Sequence, residues 1–202
     1  MGGIIAVQFK DHVMLCADVK NTSASAFVLP GRANIYELDK HLLLAAEGDP
    51  SDIEQLVNHI KLTINLFRIK HGYSLSFKGI INIATDALST PEHTNPLFAD
   101  PIIVGYDKDL GPQVYLLNFM GLSLKTKYCF HGCGEMTMPI VDLHYRPNMT
   151  ISESYELIRK CVRHIINRHA LRYPEFCVYL INKDGWASLP DISMYSLFTS
   201  KD

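Results

Sequence analysis

The sequence predicts an α+β fold in which two antiparallel sheets pack face to face and carry a helical layer on each outer side, a four-layer αββα sandwich. Two observations support this prediction. The segments run in the order strands, two helices, strands, two helices, strands, which lacks the regular alternation of a parallel βαβ sheet. Several strand-length runs are also apolar without interruption, which is typical of strands covered on both faces.

Two of these apolar runs open the chain. Residues 4–7 and 13–17 each have the length of a buried strand, and the polar residues 10–12 between them predict a hairpin turn. A chain that begins with a buried strand holds its α-amine in a defined place. There, an amine with a pKa near ~8 can act as general base for a hydroxyl or thiol on the same residue. Neither Met1 nor Gly2 carries such a group.

The helices are marked by their ends. Asp49 is expected to cap the first helix, with Pro50 at its first position and Gly72 closing it, and apolar residues recur at helical spacing between them. A second amphipathic helix begins near residue 77. Thr150 and Glu153 form a capping box that predicts the start of a later helix.

The remaining strands are predicted from apolar runs bounded by turn residues. One strand is expected over residues 123–130, leading into a short helix, and another over residues 176–181. A short final strand is expected over residues 186–188. The chain has no linker, repeat or low-complexity run, so residues 1–202 are expected to form a single domain.

Composition excludes several classes of function. The formal net charge of −2 gives no reason to expect nucleic acid or an anionic membrane as a partner, and no apolar run reaches the ~18 to 20 residues of a membrane span. The start of the chain lacks the basic segment of a signal peptide. The five scattered cysteines include no CxxC pair, so free thiols in a reducing compartment are expected, and with them a cytoplasmic and nuclear protein.

The chain resembles the proteasome β subunits, which have an N-terminal nucleophile hydrolase fold. The features that carry the resemblance cover nearly the whole chain, and together they are specific in their order and spacing. They are the opening strand pair ending in Asp18, Gly48 before the first helix, Gly105-Tyr106-Asp107 with Gly111-Pro112, Gly132-x-Gly134, Tyr145-Arg146-Pro147-Asn148 and Lys183-Asp184-Gly185-Trp186.

Within the family the chain is most similar to the β4-type subunit, one of the non-catalytic ring positions. A start at Met1 without a propeptide fits that type. So do three further stretches, Lys70-His71-Gly72-Tyr73, His131-Gly132 and Leu157-Ile158-Arg159-Lys160-Cys161.

The resemblance also implies where catalytic groups would lie. In active members an N-terminal threonine is the nucleophile, supported by an aspartate, a lysine, a glycine-flanked serine and a later Asp-x-x-Ser pair. Asp18 matches the aspartate, and the other positions hold residues that cannot do this chemistry. These degenerate positions are Gly2 for the threonine, Asn34 for the lysine, Cys133 for the serine, and His169 and Arg172 for the last pair.

The resemblance therefore implies a subunit that is not an enzyme and has no cofactor. Such a subunit would help to form the β-ring wall of the 20S core particle, in which other subunits carry out ubiquitin-dependent protein degradation. The expected partners are neighbouring β3-like and β5-like subunits, the α ring and the opposite β ring. Side chains expected to reach a neighbour are Phe27, Val28, Tyr195, Leu197 and Phe198.

Two other functions remain open from the residues. A self-contained hydrolase would use Cys133 as its nucleophile, and a free adaptor protein would bind partners without a ring. Cys129, His131 and Cys133 also resemble a zinc half-site, since thiolate and imidazole are zinc ligands. Two cysteines four residues apart with one histidine leave a tetrahedral site one ligand short, so no metal is expected.

Overall fold

A computed structural model describes residues 3–19, 34–89, 96–168 and 175–199. These residues form two five-stranded antiparallel sheets with helices on both outer sides, so the predicted fold class is confirmed. The first sheet has the order β10-β9-β2-β1-β8. Its strands are β1 Gly3–Gln8, β2 Val13–Asp18, β8 Tyr128–Gly132, β9 Glu175–Asn182 and β10 Gly185–Ser193.

The second sheet has the order β3-β4-β5-β6-β7. Its strands are β3 Ile35–Asp39, β4 Leu42–Gly48, β5 Ala99–Asp107, β6 Gly111–Leu117 and β7 Ser123–Lys125.

The predicted strand over residues 123–130 is wrong in its extent. It is two strands in different sheets, because the chain crosses from one sheet to the other at Thr126 and Lys127. The final strand, β10, is also much longer than the three residues predicted.

Helices α1 Pro50–His71 and α2 Phe77–Ser89 cover the outer face of the second sheet, where residues such as Ile53, Ile60 and Ile81 pack on its strands. The predicted end signals of α1 are confirmed. The Asp49 carboxylate accepts the backbone N–H of Ser51 at 2.9 Å, and Gly72 ends the helix at a φ of 75°.

The outer face of the first sheet is covered by a 3-10 helix, Cys133–Thr137, and by three α-helices. These are α3 Met138–His144, α4 Ile151–Arg168 and α5 Met194–Thr199. The capping box of α4 is confirmed, since the Thr150 N–H donates to the Glu153 carboxylate at 2.7 Å and the Glu153 N–H donates back to the Thr150 hydroxyl at 3.3 Å.

A third apolar layer lies between the two sheets. It includes Ile4, Leu15, Leu43 and Val104, all nearly or fully buried. Strands β1 and β2 therefore face one apolar layer on each side, which explains why their sequences are continuously apolar instead of alternating. This double burial fixes the start of β1 firmly in the middle of the first sheet, and the candidate site lies at that point.

Candidate functional site

The candidate site lies at the end of the sandwich where β1 begins and β2 and β8 end. Gly3 pairs with Gly132 of β8, and Ile4 pairs with both Ala17 and His131. The antiparallel register therefore brings Asp18 and Cys133, two of the predicted positions, beside the first residues of β1. The sequence predicts that β1 pairs with β2, because the two strands form a hairpin. It does not predict that β8 pairs with β1, because β8 lies more than 100 residues further along the chain.

The other predicted positions divide into two groups. Asn34 is described: it lies just before β3 in the second sheet, where its carbonyl accepts the Ala46 N–H at 3.2 Å. The remaining positions, Gly2, His169 and Arg172, lie outside the described residues.

Of the residues expected at an interface, most lie outside the described part of the structure and one is described. Phe27 and Val28 lie outside the described residues, as do the side chains of Tyr195 and Phe198. Leu197 is described, and the prediction for it is wrong. Its side chain is only 3% exposed and packs in this chain's own core beside α4, so it is not available to a neighbour.

Cys133 begins the 3-10 helix directly after Gly132, which turns the chain at a φ of 57°. Its side chain is 4% exposed and packs in the helix-side core with Phe130 and Phe176. Burial, reinforced by the negative charge of Asp18, raises the pKa of the Cys133 thiol to about 11. Because only the thiolate is strongly nucleophilic, this cysteine is a protonated core residue at neutral pH.

The space next to Cys133 is also closed. A Cβ atom added at Gly3 would overlap the Cys133 sulfur and would lie 3.6 Å from the Phe176 ring. The sulfur therefore fills the volume in which a side chain on residue 3 would lie. On its helix side, this end of β1 is therefore packed as core from Gly3 onward.

The zinc half-site considered for Cys129, His131 and Cys133 is not assembled. Cys129 packs in the layer between the sheets, whereas Cys133 packs on the helix side of the first sheet, so the two sulfurs belong to different core layers. Among the residues that the structure describes, no group of three potential ligands could hold a metal ion. All five cysteines are buried and free.

His131 is a member of this site whose surroundings the sequence did not reveal. Burial lowers the pKa of the His131 imidazole, while the carboxylates of Glu47, Asp100 and Glu135 oppose that effect. Glu47 and Asp100 face each other across β4 and β5 in the second sheet. In the sequence, the only hint of this cluster is one acidic residue near the end of β4 and one near the start of β5. The sequence does not show that these two strand ends lie close to His131.

The described part of the site therefore contains an imidazole and several carboxylates but no accessible nucleophile. Among the described residues, His131 Nε2 is buried without a hydrogen-bond partner, and Cys133 is a core thiol. A general base acts on a hydroxyl, thiol or water held within about 3 Å, so the described residues at the start of β1 offer a potential base but no nucleophile.

At the opposite end of the sandwich, a cleft of about 350 Å³ lies between the β1-β2 turn and the β9-β10 turn. His12 lines it, and His12 Nε2 lies 2.8 Å from the hydroxyl oxygen of Ser154 in α4. Ser154 is fully buried and donates its own proton to the Ile151 carbonyl at 2.9 Å. This histidine and serine thus connect the hairpin to α4 and do not form a hydrolytic pair.

The His12 contact predicts a pH-dependent stability. Burial lowers the pKa of His12 below its ordinary value, so the unfolded chain binds a proton more readily than the folded chain. The stabilising contribution is present above the unfolded pKa of about 6.5 and is lost as the pH falls through the lower folded pKa. We expect the urea midpoint to fall between pH 7.5 and 5. The substitution His12→Gln should weaken the dependence of the urea midpoint on pH. The control His59→Gln, at an exposed position on α1, should leave this dependence unchanged. Equal slopes in all three proteins would contradict the prediction.

The two stacked sheets with helices on both outer sides are the architecture of the N-terminal nucleophile hydrolase fold. Comparison with known sequences gives the family: residues 2–181 match the proteasome subunit family, and the chain belongs to it. The predicted β-type resemblance is confirmed by its relatives. No helix in the described ranges combines the length and apolar character that crossing a membrane requires.

Three relatives illustrate the similarity. Proteasome subunit beta type-2-B of Arabidopsis thaliana is 30% identical over 152 residues, which cover 75% of this chain and 76% of the relative. Proteasome subunit beta type-4 of Saccharomyces cerevisiae is 26% identical over 191 residues, covering 93% and 96%. Proteasome subunit beta 1 of Thermococcus sibiricus is 28% identical over 186 residues, covering 92% and 88%.

Proposed function

We propose that this chain is a non-catalytic β subunit of the 20S proteasome core particle, in the β4-like position, and that it forms part of the wall of the proteolytic chamber. The observation that supports this most is the set of residues at the family's catalytic positions. Glycine, asparagine and cysteine stand where threonine, lysine and serine would act, at Gly2, Asn34 and Cys133. Groups in such a unit act together, so losing the nucleophile alone removes nearly all of the rate.

The geometry adds one observation. The residue at the family's serine position is Cys133, whose sulfur packs as core next to Gly3. Asp18, the one retained group, ends β2 and pairs with Phe176 of β9, where it contributes to the strand framework.

The relatives support the same assembly. They are named as proteasome β subunits, and the alignment to the yeast subunit covers nearly the whole of both chains. We propose that the chain contacts neighbouring β3-like and β5-like subunits, the α ring and the opposite β ring in the cytoplasm and nucleus. The active sites that degrade ubiquitin-tagged proteins would belong to other subunits.

The test is to tag the chain in its own cells and to measure two properties of the native extract. On size-exclusion chromatography, the tagged chain should elute with a very large complex that contains the peptidase activity. A free adaptor would instead elute near 22.8 kDa. That elution position would contradict the proposed subunit role.

The second property is covalent labelling by an inhibitor that captures N-terminal threonines. Other bands of the complex should be labelled, and the tagged chain should not. Labelling of this chain would contradict the non-catalytic role. A self-contained hydrolase using Cys133 would show peptidase turnover in the isolated chain that disappears in Cys133→Ala.

A further inference from the structure

The cleft at the far end of the sandwich from the candidate site is built from four separate parts of the chain. They are the β1-β2 turn, the end of β5, the start of α4 and the β9-β10 turn. Its volume of about 350 Å³ lies at the lower end of the ~300 to 1,000 Å³ that is usual for small-molecule sites. The cleft therefore suits a small ligand and not a folded partner.

The β1-β2 turn presents hydrogen-bond acceptors to this cleft. The Ser154 hydroxyl donates to the Ile151 carbonyl, so its oxygen is left to accept the proton on His12 Nε2. In a neutral imidazole with its proton on Nε2, the other nitrogen, Nδ1, is an acceptor. No described residue donates to His12 Nδ1, and this atom is not fully buried. It is therefore open to a ligand, and the exposed carboxylate of Asp11 lies next to it in the turn.

The His12 ring is held in one orientation. Phe9 stacks on it, with 4.8 Å between the ring centroids and 18° between the planes. The contact with Ser154 fixes Nε2 from another direction. Because the imidazole is already oriented, a ligand that donates to Nδ1 would lose little free energy in ordering it.

The β9-β10 turn presents hydrogen-bond donors to the same cleft. Lys183 is exposed there, and its ammonium has no carboxylate partner among the described residues. The Asn182 side-chain oxygen accepts the Asp184 N–H at 2.8 Å, which leaves the Asn182 amide nitrogen as a donor. Asp11 and Lys183 line one cleft without forming an ion pair with each other. The cleft thus carries two separated opposite charges.

The rest of the lining is largely apolar. Met149 precedes α4 and is half-buried, and Ile151, the first residue of the helix, is 44% exposed. The half-buried ring of Tyr106 comes from the end of β5. An apolar lining with a few fixed polar groups is the usual composition of a ligand site.

We propose that this cleft binds the amino-terminal end of a short peptide. The free α-amine donates to the Asp11 carboxylate and to His12 Nδ1, an apolar side chain packs on Met149 and Ile151, and the peptide's carboxylate lies near Lys183. The charges at the two ends of a short peptide are complementary to those of the cleft. This binding activity goes beyond the proposed function and does not depend on it.

A lone anion such as inorganic phosphate is the main alternative ligand. Lys183 and the first turn of α4 would both attract an anion. The structure favours the peptide, because the Asp11 carboxylate lines the cleft and would repel an anion. The Glu153 carboxylate also stands at the start of α4 already, where it accepts the Thr150 N–H at 2.7 Å.

The first experiment titrates the full-length chain with the tripeptide alanyl-leucyl-alanine and measures the dissociation constant by calorimetry. Acetylation of the peptide's amine should weaken binding at least about tenfold, because it removes the positive charge that faces Asp11. Amidation of its carboxylate should weaken binding about threefold, because the charge of the exposed Lys183 is partly screened by solvent. The NMR signals of the backbone amides at residues 11–12 and 182–183 should shift as the peptide binds.

The second experiment compares variants of the cleft. Asp11→Asn should weaken binding of the unmodified peptide at least about tenfold, and Lys183→Gln about threefold. The matched controls Asp109→Asn and Lys108→Gln make the same changes in the β5-β6 turn, outside the cleft lining, and should bind as the wild-type chain does. All four positions are exposed, so each variant should keep the wild-type urea midpoint.

Three results would overturn the proposal. They are the absence of saturable binding by the tripeptide, equal binding of its acetylated form, and equal losses in the cleft variants and their controls. Tighter binding of inorganic phosphate than of the tripeptide would also overturn it and would identify the cleft as an anion site. None of these results bears on the proposed function, which the elution position of the tagged chain tests separately.

Discussion

Replacing Gly134 by alanine is expected to destabilise the fold by at least about 3 kcal/mol, which is the upper end of the usual cost of overpacking. A Cβ atom on Gly134 would overlap the carbonyl oxygen of Ile4 and would lie 3.1 Å from its carbonyl carbon. Ile4 belongs to β1 and pairs on both sides, with Ala17 and with His131. The strand therefore cannot move away without breaking ladder hydrogen bonds in the middle of the first sheet.

The measurement is equilibrium unfolding in urea, with Gly111→Ala as the control. Gly111 has a φ of 71°, so alanine is strained there too, but a Cβ atom would meet nothing within 4 Å. Its cost should be only the ~1–2 kcal/mol of a left-handed backbone. A Gly134→Ala protein as stable as Gly111→Ala would show that the 3-10 helix can shift away from β1, and that the packing around the candidate site is looser than the structure indicates.

The prediction of fold class depended on features that local sequence encodes well. The β1-β2 hairpin could be predicted because both strands are buried on two faces, so almost every position is apolar. Helix α1 could be predicted because Asp49 and Gly72 supply its end signals within the sequence itself. In each case, the physical cause of the element lies in the residues that form it.

The division between β7 and β8 could not be predicted in this way. The Thr126 N–H donates to the Val114 carbonyl in the second sheet at 3.1 Å, and the Lys127 carbonyl accepts the Gln8 N–H of the first sheet at 2.7 Å. Neighbouring residues thus bond to different sheets. Their local pattern remains that of one strand, because the change of partner is decided by distant segments.

The same limitation applies to the candidate site. The resemblance to the family identified Asp18 and Cys133 as site positions, and in the structure both lie beside the start of β1. The carboxylates near His131 were missed, because Glu47 and Asp100 belong to the other sheet and meet the imidazole only after the sheets stack. Leu197 was misassigned for a related reason, since an apolar residue near a chain end can pack inward as readily as outward.

Truncation of Phe176 to alanine is expected to cost about 3–5 kcal/mol, the range for removing a buried aromatic side chain. Phe176 is fully buried at the start of β9, where its backbone pairs with Asp18 and its side chain belongs to the same helix-side core as Phe130 and Cys133. The cavity would lie between the first sheet and the 3-10 helix. This is the volume beside Gly3 and the Cys133 sulfur.

Urea unfolding measures this cost, and Phe119→Ala is the matched control because Phe119 is 38% exposed and its truncation should cost less than about 2 kcal/mol. Thiol labelling under native conditions adds a local readout. Burial holds the Cys133 pKa at about 11, so the thiol should react slowly in the wild-type chain and faster in Phe176→Ala, where solvent gains access to the sulfur. Unchanged stability together with unchanged labelling would mean that Phe176 does not shield the Cys133 sulfur from solvent.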